Sequence, residues 1–300
     1  MVGWQMIQVK ASTGLVALLG HPVQHSLSPL MHNAAFAAGG QNLVYLAFDV
    51  KPGDLAAALA GLKALGFRGA NVTVPHKEAI IPYLDAVDPV AARIGAVNTI
   101  VNEDRCLKGY NTDGSGFLRS LEEAGFDPAG KRAVILGAGG AARAVAFALA
   151  TAGCGSLVLA NRTPERATEL AGALAGAGLP APVVYRLGDA GMRSEVEAAD
   201  LVLNTTSLGM WPRVEETPLP PDWFRPGQWV YDLVYNPLET KFLAGARRRG
   251  CRVISGLDML LYQGAAAFTL WTGREAPVAV MDRVLREAMG ASSGGPAAGR

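Results

Sequence analysis

Cysteine is scarce in this chain: three in 300 residues, at Cys106, Cys154 and Cys251. The number is odd, the spacing wide, and there is no C-x-x-C pair or nearby histidine cluster. That argues against a disulfide framework and against a zinc site, and buried free thiols are expected. Excess charge of either sign is also lacking, since 27 lysines and arginines face 26 aspartates and glutamates for a net charge of +1. Such a chain has no basic field for nucleic acid and offers little attraction to an anionic membrane, so an anionic ligand must be met by local residues. A basic segment followed by an apolar run is missing at the start, and the most apolar window, 133–153, is interrupted by Arg143 and several glycines. No signal peptide or membrane span is read, and a cytoplasmic protein is expected.

Half of the residues are hydrophobic and 18% are charged, which suffices for two cores of ordinary domain size. Short β-branched or Leu-rich runs alternate with Ala/Leu stretches of helical spacing, the rhythm of βαβ units and parallel sheets. A first series predicts strands at 15–19, 45–50, 70–74 and 97–101, with helices starting near Pro29, Asp54 and His76. A bridging helix over 114–124 follows, and a second series predicts strands at 133–136, 157–160, 201–204 and 230–233. The stretch 257–289 is helical and has no strand of its own, so it is expected to complete the first domain. The predicted organisation is an α/β substrate domain of residues 1–113 completed by 256–289, a nucleotide-binding domain of 114–255, and a Gly/Ser/Ala-rich disordered tail over 290–300.

Gly137, Ala138, Gly139, Gly140, Ala141 and Ala142 follow an apolar strand and open an Ala-rich helix, a G-x-G-x-x-A pattern in the strand–turn–helix setting it requires. Gly137 permits the tight turn, Gly139 admits a pyrophosphate close to the backbone, and Ala142 allows tight helix–strand packing beside a helix N-terminus that attracts anions. The same residues also suit a glycine turn that binds nothing. After the next strand, an NAD enzyme would usually place a carboxylate for the ribose 2′-hydroxyl, but the chain reads Asn161, Arg162, Thr163, Pro164, Glu165 and Arg166. Asn161 does not repel a phosphate, while Arg162 and Arg166 can form charge-assisted bonds to it, which points to NADP. Read as local structure alone, Thr163 caps a helix with Pro164 at its first position and the arginines are solvated; the two readings are compatible.

Polar clusters collect where the first series places the carboxyl ends of its strands: Ser26-Leu27-Ser28-Pro29, Asn71 to Lys77, Gly95-Ala96-Val97-Asn98-Thr99, and Gly109 to Gly114. Taken with the glycine pattern, Asn161-Arg162-Thr163, Asn204 to Met210, Asp232-Leu233-Val234-Tyr235-Asn236-Pro237, and Gly256-Leu257-Asp258-Met259-Leu260 with Gln263, the chain resembles the shikimate dehydrogenase family from about Val16 to Gly264 in unbroken order. The resemblance implies a two-domain α/β fold with a Rossmann-type NADP-binding domain. It also implies reversible NADP-linked conversion of shikimate to 3-dehydroshikimate, a step of chorismate and aromatic amino acid biosynthesis. By position it implies that Ser26 and Ser28 bind the substrate carboxylate, with Tyr235 also at the substrate. Thr73, Asn98, Asp113 and Gln263 hold ring hydroxyls, Lys77 and Asp113 form the catalytic pair, and Leu233 and Gly256 join Gly137–Ala141, Asn161, Arg162, Thr163 and Arg166 at the cofactor. No metal is implied, and the partners are a small-molecule substrate and at most a second copy of the chain. Pro89 stands where some relatives carry an acidic residue near the cofactor, so that contact is not transferred.

The chemistry itself also asks for a side chain that manages the hydroxyl proton as hydride leaves the alcohol carbon. The four histidines, His21, His25, His32 and His76, show no acidic orienting partner in the sequence, and His25 and His76 are read as loop residues. Lys77, just after a strand end, is the better candidate. A lysine base works best when desolvated or beside another cation, whereas a neighbouring Asp113 favours the ammonium form, which suits proton donation in the reduction direction. Taken singly, Ser28-Pro29 is an ordinary helix cap, Thr73 a strand residue and Lys77 a solvated helix charge. Hinges are expected near 113–116 and 255–256, where glycines sit.

Overall fold

The computed structural model describes residues 9–290; the predicted disordered tail, apart from Gly290, lies outside the described residues. The chain divides into two compact units, one formed by the residues up to Thr112 together with those from Leu261, the other by Asp113–Leu260.

The first unit runs β1 (Gly14–Gly20), α1 (Ser28–Ala38), β2 (Leu43–Asp49), α2 (Leu55–Ala64), β3 (Gly69–Val72), α3 (His76–Ala79), β4 (Ala86–Val87), α4 (Pro89–Ile94), β5 (Thr99–Glu103) and β6 (Cys106–Tyr110). The strands form one sheet in the order β2-β1-β3-β5-β6-β4. β1 pairs in parallel with β2 and β3, and as a strand covered on both faces it is apolar throughout, with Val16, Ala17, Leu18 and Leu19 all buried. One face is covered by α2, whose Leu55, Leu59 and Leu62 recur at helical spacing and pack with Ala17, Leu19, Ala70 and Val72.

This sheet departs from the all-parallel expectation, because β5 is antiparallel to both β3 and β6. The β5–β6 hairpin escapes the sequence reading because its two turn residues are Asp104 (φ 50°) and Arg105 (φ 66°). The left-handed conformation that such tight turns demand is usually signalled by Asn-Gly or Asp-Gly, which this chain lacks there. Cys106 at the start of β6 is exposed, against the expectation of a buried thiol, whereas Cys154 and Cys251 are buried. β3 ends at Val72, so Thr73 lies just beyond the strand and not within it.

The second unit begins with α5 (Asp113–Ala124) and continues with β7 (Arg132–Leu136), α6 (Gly140–Thr151), β8 (Ser156–Asn161), α7 (Pro164–Gly176), β9 (Val183–Arg186), α8 (Met192–Ala198), β10 (Leu201–Asn204), β11 (Trp229–Asp232), α9 (Lys241–Arg248) and β12 (Arg252–Ser255). All six strands are parallel, in the order β12-β11-β10-β7-β8-β9. Read from β9, this is the 3-2-1-4-5-6 order of dinucleotide-binding sheets, with the order reversing between β7 and β10. β9 and β12 are the two strands that sequence reading omits. Both are short edge strands with few buried residues, so neither carries a strong apolar run.

α10 (Gly256–Thr272) leaves the second unit at Leu261 and enters the first, followed there by α11 (Val278–Ala288). In the first unit Phe268 stacks on Phe36 of α1, and the buried Trp271 donates its indole N–H to the Ile100 carbonyl at 2.9 Å. Burying a tryptophan contributes on the order of 4–6 kcal/mol of apolar transfer. Gly69 makes room for it, since a Cβ there would lie 2.2 Å from the Ile100 carbonyl oxygen and 2.5 Å from the indole nitrogen. The chain from Leu261 onward thus belongs to the first unit. Of the segments expected to act as hinges, 113–116 is the first turn of α5, and Gly256 opens α10. Gly256 is glycine for another reason: a Cβ there would meet the Leu233 carbonyl oxygen at 2.1 Å.

Candidate functional site

In the first unit, the polar residues singled out in the sequence lie at the carboxyl ends of β1 and β3 and on the segments that follow. Thr73 continues the β3 ladder by donating its N–H to the Leu19 carbonyl, and its own carbonyl accepts from His76 N. That turn starts α3, which places the half-buried Lys77 four residues beyond Thr73; the Lys77 carbonyl accepts from Val97 N at 2.8 Å. Asn98, next along, is buried and donates through Nδ2 to Gln263 Oε1 at 3.3 Å, so α10 brings Gln263 to the same edge. The following residue, Gly264, is packed so closely on α1 that a Cβ would lie 2.2 Å from Met31 Cε. One turn earlier on α1 is Ser28, buried at its start, while Ser26 is half buried.

Three local readings change here. Ser28 is not the helix cap: Leu27 holds that position, and the Ser28 N–H donates to the Ser26 hydroxyl at 3.2 Å. Substituting Ser28 therefore carries no cap penalty of its own. His76 is no loop residue, since it opens α3, is buried, and bonds through Nε2 to the Val50 carbonyl at 2.7 Å. His21 does have an acidic partner, Asp49 Oδ1 at 2.7 Å, invisible in sequence because 28 residues separate the two. Parallel pairing of β1 with β2 sets Gly20 opposite Asp49 and so creates the pair.

His32 was missed as a residue of interest. It is fully buried, stacked on Tyr45 at 4.6 Å and edge-on to Trp271, and neither ring nitrogen makes a hydrogen bond. Burial drives its pKa down to about 3, with the Asn71 side chain opposing. The ring is therefore neutral at physiological pH.

The second unit contains Asp113, Tyr235 and the glycine turn after β7. Asp113 is the first residue of α5 and only 3% exposed; Tyr235 is half buried on the segment after β11. The glycine turn leaves β7 at the point where strand order reverses, where ligands of such sheets bind. Gly137 has φ 120°, which side chains rarely tolerate, and a Cβ on it would meet Thr205 Oγ1 at 2.4 Å. Gly139 caps α6 in an extended conformation, with no side chain bonded to the helix N-terminus and open space where a Cβ would project. Gly140 and Ala141 form the first turn of α6, and Ala138 and Ala142 are buried. These features fit a pyrophosphate: backbone N–H groups at a helix start, room for close approach, and a positive dipole end.

At the end of β8, Asn161 donates to the Thr163 carbonyl at 2.8 Å, and Arg162, Thr163 and Arg166 are exposed. Thr163 occupies the cap position of α7 with Pro164 beside it, but its hydroxyl makes no capping bond. Leu233 and Gly256 are brought together by the close packing described above. Sequence reading assigned no role to Asp232, yet it organises this end of the sheet. Its carboxylate accepts from Asn204 Nδ2, Val234 N and Thr240 Oγ1 at 2.9, 3.0 and 2.6 Å. Asn204 in turn accepts from the N–H and hydroxyl of Thr206. The loops after β10 and β11 are tied to one buried acid, whose pKa burial raises to about 6 against those three bonds. Among the described residues no group of three or more histidines, cysteines or carboxylates is arranged to hold a metal, and no helix is long and apolar enough to cross a membrane.

Comparison with known proteins gives consistent relatives along the chain. Residues 18–100 match the shikimate dehydrogenase substrate binding domain, 120–208 match shikimate / quinate 5-dehydrogenase, and 256–286 match the shikimate 5′-dehydrogenase C-terminal domain. The chain is 53% identical to a shikimate dehydrogenase (NADP(+)) of Symbiobacterium thermophilum over 89% of its length and 92% of that protein. It is 51% identical to one of Methanopyrus kandleri, covering 94% of this chain and 98% of the other. The crystal structure of shikimate 5-dehydrogenase from Thermus thermophilus, in complex with NADP(H) and shikimate, superimposes with a TM-score of 0.82 at 42% identity, over 92% of this chain and 99% of that one. With this identity spanning both units, the chain belongs to the shikimate dehydrogenase family.

Proposed function

We propose that this protein catalyses the reversible NADP-linked oxidation of shikimate to 3-dehydroshikimate, acting in the cytoplasm on the route to aromatic amino acids, as a monomer or homodimer without nucleic-acid or membrane partners. The observation that carries the reading is the pairing, in a member of this family, of a pyrophosphate-fitted glycine turn after β7 with a carboxylate-free Asn161-Arg162 at the end of β8. Gly137–Ala141 hold the pyrophosphate, Asn161, Arg162, Thr163 and Arg166 the 2′-phosphate, and Leu233 and Gly256 flank the rest of the cofactor. When bound, NADP accepts the hydride from the ring carbon that bears the reacting hydroxyl. Lys77 handles the proton of that hydroxyl: it removes the proton in oxidation and returns it in reduction. Asp113 orients both the lysine and the hydroxyl. Ser26, Ser28 and Tyr235 receive the substrate carboxylate, and Thr73, Asn98 and Gln263 the ring hydroxyls. The test is nicotinamide absorbance with shikimate or quinate against NADP or NAD. Turnover is expected with shikimate and NADP, and its absence there, with activity on another pair, would reassign the substrate or cofactor.

The cofactor choice makes a separate prediction. Arg162→Ala removes a charge-assisted bond to the 2′-phosphate, so KM for NADP is expected to rise about tenfold to a hundredfold while poor use of NAD is unaltered. Equal losses with both cofactors would remove the arginine from the phosphate site.

A further inference from the structure

Behind the substrate edge of the first unit runs a buried chain of side chains whose hydrogen-bond polarity is set by backbone groups. Asn71 Nδ2 donates to the Asn98 carbonyl at 3.1 Å. A carbonyl can only accept, so the Asn71 amide has one orientation and its Oδ1 must accept the Tyr45 hydroxyl at 2.8 Å. The Asn98 amide is anchored in the same way: Thr112 N, which can only donate, reaches Asn98 Oδ1 at 2.8 Å. Between the two amides stands Thr99, fully buried, accepting from Asn71 Nδ2 at 3.1 Å and donating to Asn98 Oδ1 at 3.0 Å. Both of its hydroxyl roles are engaged. The Nδ2 of Asn98 is consequently the end that reaches Thr112 Oγ1 at 2.9 Å and Gln263 Oε1 at 3.3 Å. Because Gln263 must accept there, its Nε2 is the end turned away from Asn98.

We propose that Thr99 is a positioning residue for substrate binding, and that the chain Tyr45–Asn71–Thr99–Asn98 fixes the polarity of Gln263 so that its amide nitrogen presents a donor to an oxygen of the polyhydroxylated ligand. Every member of that chain is buried, and an amide that flipped inside it would leave polar groups unpaired with no water to replace them. The ring of Tyr45 is itself held by stacking on His32, so the first donor of the chain is fixed as well. The inference rests on Asn98 and Gln263 meeting the substrate.

Thr99→Val keeps the shape and removes the hydroxyl's hydrogen bonds to Asn71, Asn98 and Thr112. It is expected to raise KM for shikimate about tenfold with KM for NADP unchanged, and Thr99→Ser is expected to restore the wild-type value. Tyr45→Phe, which keeps the ring, should shift the shikimate KM in the same direction by a smaller factor, and it serves if the valine variant fails to fold. A double-mutant cycle of Thr99→Val with Gln263→Ala isolates the route: if Thr99 acts through Gln263, the combined loss is smaller than the product of the single losses. Independent, multiplying effects, or a valine variant whose shikimate and NADP constants move together, would overturn the proposal. A Gln263→Ala enzyme with an unaltered shikimate KM would instead refute the assignment of Gln263 to the substrate, a different failure.

Discussion

Replacing Lys77 by methionine is expected to lower kcat about 10²–10⁴-fold, the range typical of losing a positioned acid or base, while shikimate still binds. The side chain keeps much of its apolar length and loses only the proton-bearing nitrogen. The Lys77 backbone carbonyl, which accepts from Val97 N, is untouched, so the link between α3 and the segment before β5 survives. The substrate carboxylate has its own proposed partners in Ser26, Ser28 and Tyr235, so affinity does not hinge on the lysine. The decisive measurements are kcat at saturation, shikimate affinity by calorimetry, and the circular dichroism spectrum. A folded variant that binds shikimate weakly yet turns over at the wild-type kcat would make Lys77 a binding residue, because loss of uniform binding raises KM alone. Asp113 would then be examined first as the proton handler. The His21–Asp49 pair would come second, since it lies at the same strand ends and has the imidazole–carboxylate form of a general base.

A second large effect is expected in stability against acid. His32 is buried with a pKa of about 3, against 6.5 for the free side chain. Below pH 6.5 the unfolded chain takes up a proton that the folded chain refuses, so the folded state loses stability as pH falls from 6.5 towards 3, by about 1.4 kcal/mol per pH unit. His32→Phe keeps an aromatic ring against Tyr45 and Trp271 and cannot be protonated. At pH 7 it should be within about 1 kcal/mol of wild type, because two buried ring nitrogens without partners are removed along with the histidine. Towards pH 5 the variant should become the more stable protein by a growing margin. Urea unfolding of both proteins between pH 7 and 4.5 measures this directly, and parallel curves would show that the ring is protonated in the folded state. Asp232 works in the opposite sense. Its folded pKa of about 6 lies above the ordinary 3.8, so its contribution is present at low pH and lost as pH rises between those values. Comparison with the His32 variant, which keeps Asp232, cancels that contribution.

The amino-acid sequence by itself determined the two-domain α/β class, the glycine turn after β7 and the central strands of both sheets, because these depend on local signals. Apolar runs at period two and 3.6 mark buried strands and helices, and glycine spacing marks a backbone that must approach a phosphate. It also pointed to residues worth examining: Lys77 by its place just after a predicted strand, and Thr73 and Asn98 through the resemblance to the shikimate dehydrogenase family. Tertiary structure decided whatever depends on residues far apart in the chain. The β5–β6 hairpin, with its unsignalled Asp104-Arg105 turn, set one strand, β5, against the direction of the others in a sheet expected to be parallel. The edge strands β9 and β12 exist only because neighbouring strands offer them partners. The pairing of His21 with Asp49 is set by strand register, and Gln263 reaches Asn98 only because α10 crosses from one unit into the other. Burial is a property of the whole fold as well. Nothing adjacent to His32 or Asp232 in sequence foretells a histidine kept neutral among aromatic rings or an acid tying two loops together, because desolvation is set by what packs around a group and not by what precedes it.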